Sequence, residues 1–121
     1  MSKVLIVDDD AEIRGLLCKV MESKGHKVVS GENGQIGTEL AEAESPNLII
    51  MDLNMPVMDG FRATAAIKAN PATKNIPVLI LSAEHAETNR EAMYEAGCDG
   101  FVPKPIDLNR LFARASEFLK D

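Results

Sequence analysis

Five short apolar runs recur along the chain, each followed by a stretch with helical spacing. The runs are Val4 to Val7, Lys27 to Ser30, Leu48 to Met51, Val78 to Leu81 and Gly100 to Val102. The first, third and fourth are continuously apolar, the pattern of strands buried on both faces of a parallel sheet. The second and fifth carry more polar residues and are assigned to the sheet edges.

Between the runs the period changes to that of a helix. Ile13, Leu16, Leu17, Val20 and Met21 repeat at i, i+3, i+4, i+7 and i+8, with Gly25 as a C-terminal stop. Leu108, Leu111, Phe112, Ala115, Phe118 and Leu119 do the same, and Asp107 is placed to cap the first turn. Ile36 and Leu40 mark a helix opened by the turn pair Asn33-Gly34. Ala63, Ala66 and Ile67 mark another, ended by Asn70-Pro71. Residues 86 to 96 carry a thin stripe of Ala92, Met93 and Ala96. Strand and helix alternating five times predict one α/β unit over residues 1–121, with right-handed crossovers and helices on both faces.

Composition narrows the function. Of 121 residues, 45% are hydrophobic and 26% charged, ordinary globular usage. Thirteen Lys and Arg against nineteen Asp and Glu leave a net charge of −6. That balance argues against direct binding to nucleic acid or to an anionic membrane surface. No apolar run reaches the length of a membrane span, and Met1-Ser2-Lys3 leads into a run that ends in three aspartates rather than a signal-peptide cleavage region. A cytoplasmic location is expected. Cys18 and Cys98 have no metal-binding spacing and are expected to be reduced thiols.

Ligands of open parallel sheets bind beyond the carboxyl ends of the strands. Asp8, Asp9 and Asp10 follow the first run, Asp52 the third, Ser82 the fourth and Lys104 the fifth. Each alone has a plain structural reading. The aspartates can form a turn with Asp10 as helix cap, Ser82 can be a turn hydroxyl, and Lys104 between two prolines can be a solvated charge. Together at successive strand ends, they converge. Crowded carboxylates repel unless a cation joins them. Oxygen ligands without His or Cys select a hard divalent cation such as Mg²⁺, which also takes phosphate oxygens. With a lysine and a hydroxyl beside it, an aspartate can accept a phosphoryl group as nucleophile.

The sequence resembles the receiver domain of bacterial two-component response regulators, end to end. The residues that carry the resemblance are Val7-Asp8-Asp9, the stretch from Met51-Asp52-Leu53-Asn54-Met55-Pro56 to Asp59-Gly60, Leu81-Ser82-Ala83, and the stretch from Gly97 to Pro105. The resemblance implies a flavodoxin-like doubly wound (βα)5 fold with strand order 2-1-3-4-5. It makes Asp52 the phosphoacceptor. Asp9, Asp52 and the backbone carbonyl of Asn54 would hold Mg²⁺, with Asp8 acting through a bound water. Ser82 and Lys104 would meet the phosphoryl oxygens, and the Lys104-Pro105 bond would be cis. Phe101 takes the place of the family's switch aromatic. It lacks the hydroxyl of the frequent tyrosine, so an inward rotamer costs less to bury and an outward one offers no polar handle. Asn54 and Glu84 are small or polar enough to admit and orient water beside the site, as in chemotaxis-type receivers.

The implied donor is a histidine kinase or phosphotransfer protein, and the output is contact with a downstream protein. The receiver is expected to turn over only its own aspartyl phosphate and to be a monomer or a weak, phosphorylation-dependent dimer. A stand-alone receiver is the first expectation, and a module excised from a hybrid kinase or multidomain regulator is the second. A small Mg²⁺-dependent aspartyl phosphohydrolase would carry a second Asp where Asn54 stands. A flavodoxin-like electron carrier would not place three aspartates at its phosphate loop.

Overall fold

The computed structural model describes residues 2–82 and 86–119. Five parallel strands, β1 (Lys3–Val7), β2 (Lys27–Gly31), β3 (Leu48–Asp52), β4 (Val78–Ser82) and β5 (Gly100–Pro103), form one sheet in the order β2-β1-β3-β4-β5. Five helices alternate with them: α1 (Ala11–Ser23), α2 (Gly34–Glu44), α3 (Gly60–Ala69), α4 (Ala86–Ala96) and α5 (Leu108–Phe118). This is the doubly wound arrangement the sequence predicts, with β2 and β5 at the edges. β1 ends with its apolar run at Val7, whereas β2, β3, β4 and β5 each run one residue past theirs, which makes Asp52 and Ser82 the last strand residues rather than the first loop residues. Ladder hydrogen bonds therefore fix both backbones.

Side chains of the central strands alternate between two cores. Val4, Ile6, Leu48, Ile50, Leu79 and Leu81 pack with Leu17 and Met21 of α1 and with Leu111 and Ala115 of α5. Leu5, Val7, Ile49, Met51, Val78 and Ile80 pack with Ala41 of α2, Ala63 and Ile67 of α3, and Met93 of α4. The two-residue strand period thus feeds both faces, and β1, β3 and β4 bury nearly every side chain. Cys18 packs on the first core and Cys98 lies in the second, so the sheet separates the two free thiols.

Local chemistry sets the helix ends. Asp10, Asn33, Asp59 and Asp107 open α1, α2, α3 and α5, each accepting a hydrogen bond from a first-turn amide. Asn33 is thus a cap rather than half of a turn pair. Gly34 is the first residue of α2, where its amide donates to the Met58 carbonyl at 3.1 Å and a Cβ would lie 2.3 Å from that oxygen. Gly25, at φ +90°, follows α1 as expected.

Three stripe positions differ from their prediction. Leu16 is 51% exposed, and Ala66 and Ala92 face solvent. Helices packed on a flat sheet bury a narrower stripe than the i, i+3, i+4 pattern allows, so flanking positions stay outside. Among the described residues no helix is long and apolar enough to cross a membrane. The helix phase is testable by urea unfolding: Leu17→Ala should cost about 3 kcal/mol, and Leu16→Ala about 1 kcal/mol or less.

Candidate functional site

The strand order reverses between β1 and β3, and the site stands at that switch point. Val7 pairs with Met51, so the next residues, Asp8 and Asp52, emerge side by side at the carboxyl edge. Asp8 is fully buried and tied at three atoms. Its amide donates to Gly31 O at 3.1 Å, its Oδ1 accepts from Asp10 N at 2.9 Å, and its carbonyl accepts from Arg14 Nη1 at 2.7 Å. The other carboxylate oxygen, Oδ2, is buried without a hydrogen-bond partner among the described residues.

Carboxylate oxygens of Asp8, Asp9 and Asp52 lie within 4.8 Å of one another, with Asp9 exposed at the mouth. Lys104, from the end of β5, donates from Nζ to Asp52 Oδ1 at 2.8 Å. One ammonium therefore faces three carboxylates. Burial pushes the Asp8 carboxyl up to about 6; the charges of Asp52 and Asp9 add to that rise, and the Asp10 amide and Lys104 oppose it. Burial also raises Asp52, despite the hydrogen bond and charge of Lys104. Lys104 itself is pulled down by burial, but the Asp52 hydrogen bond and the carboxylate charges outweigh that and leave it raised. Asp52 is held less firmly in its charged form than an exposed ion pair would suggest.

The backbone around Asp52 is equally constrained. Leu53 N donates to Leu81 O at 3.2 Å, and Gly60 N donates to Leu53 O at 2.8 Å. A Cβ on Gly60 would sit 2.4 Å from the Asp52 carbonyl, so the first turn of α3 presses directly on the acceptor strand. Only glycine permits that approach. Between them Val57 occupies the left-handed region at φ +70° and is 77% exposed. A β-branched residue there is strained.

Of the residues singled out in the sequence, Asp8, Asp9, Asp52 and Lys104 come together. Ser82 is buried at the end of β4, paired in register with Pro103, and its carbonyl accepts the Lys104 amide at 2.6 Å. Asn54 is exposed in the loop after β3. The Lys104-Pro105 peptide is cis. Phe101 stands apart from the acidic cluster, half-buried on the α4 side, with the Tyr94 ring edge-on at 6.5 Å and the Arg90 guanidinium 5.7 Å from its centroid. Glu84 lies outside the described residues. Arg14, one polar residue among several on α1, is a contributor that the sequence does not single out, and Gly60, named there only within the Asp59-Gly60 motif, gains its role from its contact with the Asp52 carbonyl.

The donor set fits a hard divalent cation. Among the described residues it consists of carboxylate oxygens, one of them buried without a hydrogen-bond partner, with more negative charge than Lys104 alone offsets.

A family model for the response regulator receiver domain matches residues 4–116. The chain is similar to protein PilH of Pseudomonas aeruginosa, 36% identical over 107 residues that cover 88% of each. The solved structure of chemotaxis protein CheY4 of Vibrio cholerae has a TM-score of 0.91 at 29% identity, covering 98% of both chains. The receiver domain of sensor histidine kinase PA1611 of P. aeruginosa PAO1, solved with a magnesium ion coordinated in its active-site cleft, has a TM-score of 0.90 at 25% identity, covering 99% of this chain and 98% of that one. The chain spans about half the length of several transcriptional regulators that it also matches.

The crowding has a measurable sign. Above about pH 6 the folded, metal-free protein holds a buried charge on Asp8 that the unfolded chain carries in water, so the contribution of Asp8 to stability falls as pH rises from 3.8 to about 6. In EDTA, Asp8→Asn should match wild type near pH 4 and exceed it by up to about 3 kcal/mol near pH 7. Urea unfolding across that range checks it, and saturating Mg²⁺ should shrink or reverse the gap.

Proposed function

The chain belongs to the response regulator receiver family, a phosphorylation-switch domain of two-component systems, and from that premise we propose that Asp52 accepts the phosphoryl group here. The observation that carries this reading is the Lys104–Asp52 pair, 2.8 Å apart, at a rim where Asp8 and Asp9 gather. Asp8, Asp9, Asp52 and the Asn54 carbonyl would hold Mg²⁺, with Asp8 acting through water. When bound, that ion supplies positive charge shared between the carboxylates and the phosphoryl oxygens.

An oxygen of Asp52 attacks phosphorus in line; the P–O bond forms as the P–N bond of a phosphohistidine breaks, and the imidazole leaves with the electron pair. Lys104 Nζ, already in place, moves its hydrogen bond from the carboxylate to a phosphoryl oxygen. The Ser82 hydroxyl donates to a second oxygen, drawing the end of β4 inward. That shift is relayed to Phe101 on the neighbouring strand and so to the face formed by α4, β5 and α5, where a downstream protein binds. Asn54, exposed beside the acceptor, and Glu84 admit and orient the water that later returns Asp52 to a carboxylate. The only turnover is of its own aspartyl phosphate, and the domain works in the cytoplasm.

The donor has a docking surface next to the reacting atoms. Ile13, Leu16 and Leu17 of α1 with Pro105, Ile106 and Leu108 line an apolar groove of about 330 Å³, and Lys104 forms its edge. A helix of the phosphodonor seated there brings its phosphohistidine to Asp52.

Incubation with acetyl phosphate and Mg²⁺ should give one phosphoryl adduct by intact mass in wild type and none in Asp52→Asn; an adduct that persists in the variant moves the acceptor elsewhere. Leu16→Glu should retain labelling by acetyl phosphate while phosphotransfer from a phosphohistidine donor slows at least about tenfold. Equal rates from the protein donor would remove the groove from the reading.

A further inference from the structure

Three hydrogen bonds close a ring at the start of α1. Asp10 N donates to Asp8 Oδ1 at 2.9 Å, Arg14 N donates to Asp10 O at 2.9 Å, and Arg14 Nη1 returns to the Asp8 carbonyl at 2.7 Å. Asp8 lies one residue past Val7, the last residue of β1 in register with its neighbours, so the guanidinium supplies its carbonyl with a donor at the point where the ladder ends. The Asp8 side chain, fully buried, is left with one oxygen that has no hydrogen-bond partner among the described residues.

We propose that Arg14 is a positioning residue for the acidic cluster: by clamping the Asp8 carbonyl to the first turn of α1, it holds the Asp8 and Asp9 carboxylates in the arrangement that takes up a divalent cation. The inference rests on the cation reading of the cluster. Arg14 suits the task because its guanidinium stays charged and planar, and a charge-assisted bond to a carbonyl is strong and directional. Its charge acts in the opposite sense from its geometry. A fixed cation near the site repels an incoming metal ion, so losing the charge alone tightens metal binding. Losing the clamp loosens it. The sign of the effect separates the two.

Calorimetric titration of the full chain with MgCl₂ reads that sign. Arg14→Met should bind Mg²⁺ about tenfold more weakly than wild type, the scale seen when the groups that orient metal ligands are removed. Arg14→Lys, which retains a cationic donor, should stay within about threefold. In the metal-free protein, hydrogen exchange at the Asp10 amide should speed up in Arg14→Met and stay near wild type in Arg14→Lys. If Arg14→Met does not fold by circular dichroism, Arg14→Gln, neutral and shorter, carries the same expectation. Wild-type or tighter Mg²⁺ affinity in the neutral variant overturns the role of Arg14 and leaves the cation reading intact. No Mg²⁺ uptake by wild type overturns the cation reading and this inference with it.

Discussion

Like charges forced together at one edge of a sheet govern this molecule. Asp8 and Asp52 leave adjacent strands at the same level, Asp9 follows at the mouth, and Lys104 supplies a single opposing charge. In water such carboxylates would drift apart. Here the ladder of β1 and β3, the Asp10 and Arg14 hydrogen bonds and the contact of Gly60 on the Asp52 carbonyl prevent that. In the proposed function, that repulsion would make the cluster responsive to an arriving cation or phosphoryl group, because either changes the local charge balance by a large fraction.

Rigidity behind the cluster makes the response useful. The three central strands are buried on both faces, so their ends cannot relax toward solvent. In the proposed switch, a change at Asp52 would pass sideways through Ser82 and Lys104, whose backbones are joined by the 2.6 Å bond between β4 and the end of β5. Phe101, with Tyr94 and Arg90 about it, sits on the strand that this bond reaches. The strain at Val57 lies on the other side of Asp52, in a loop held down by Gly34 and Gly60.

Element type and order could be read from the chain because the signals are local. Continuous apolar runs mark the buried strands, and Asp10 and Asp107 before a helical period mark two of the caps, whereas Asn33 reads as a turn residue and Asp59 carries no cap signal of its own. The parallel order by itself places Asp8, Asp9, Asp52 and Lys104 on one edge of the sheet. What escaped depended on packing. Leu16 fits the helical period as well as Leu17 does, and only the width of the buried stripe separates them. Gly60 and Arg14 act on backbone carbonyls, which have no side-chain identity to pair with in a sequence. Asp52 and Ser82 proved to be strand residues because ladder bonds extend one pair beyond the last apolar side chain.

On the proposed reading, a divalent cation relieves the crowding of carboxylates at the folded rim. Stability against urea, followed at neutral pH over increasing free Mg²⁺, reads that relief as a free energy. Wild type should gain about 1.4 kcal/mol for each tenfold increase above the dissociation constant, while Asp9→Asn, lacking one of the three carboxylates, should stay flat over the same range. A wild-type stability that does not change with Mg²⁺ would contradict it.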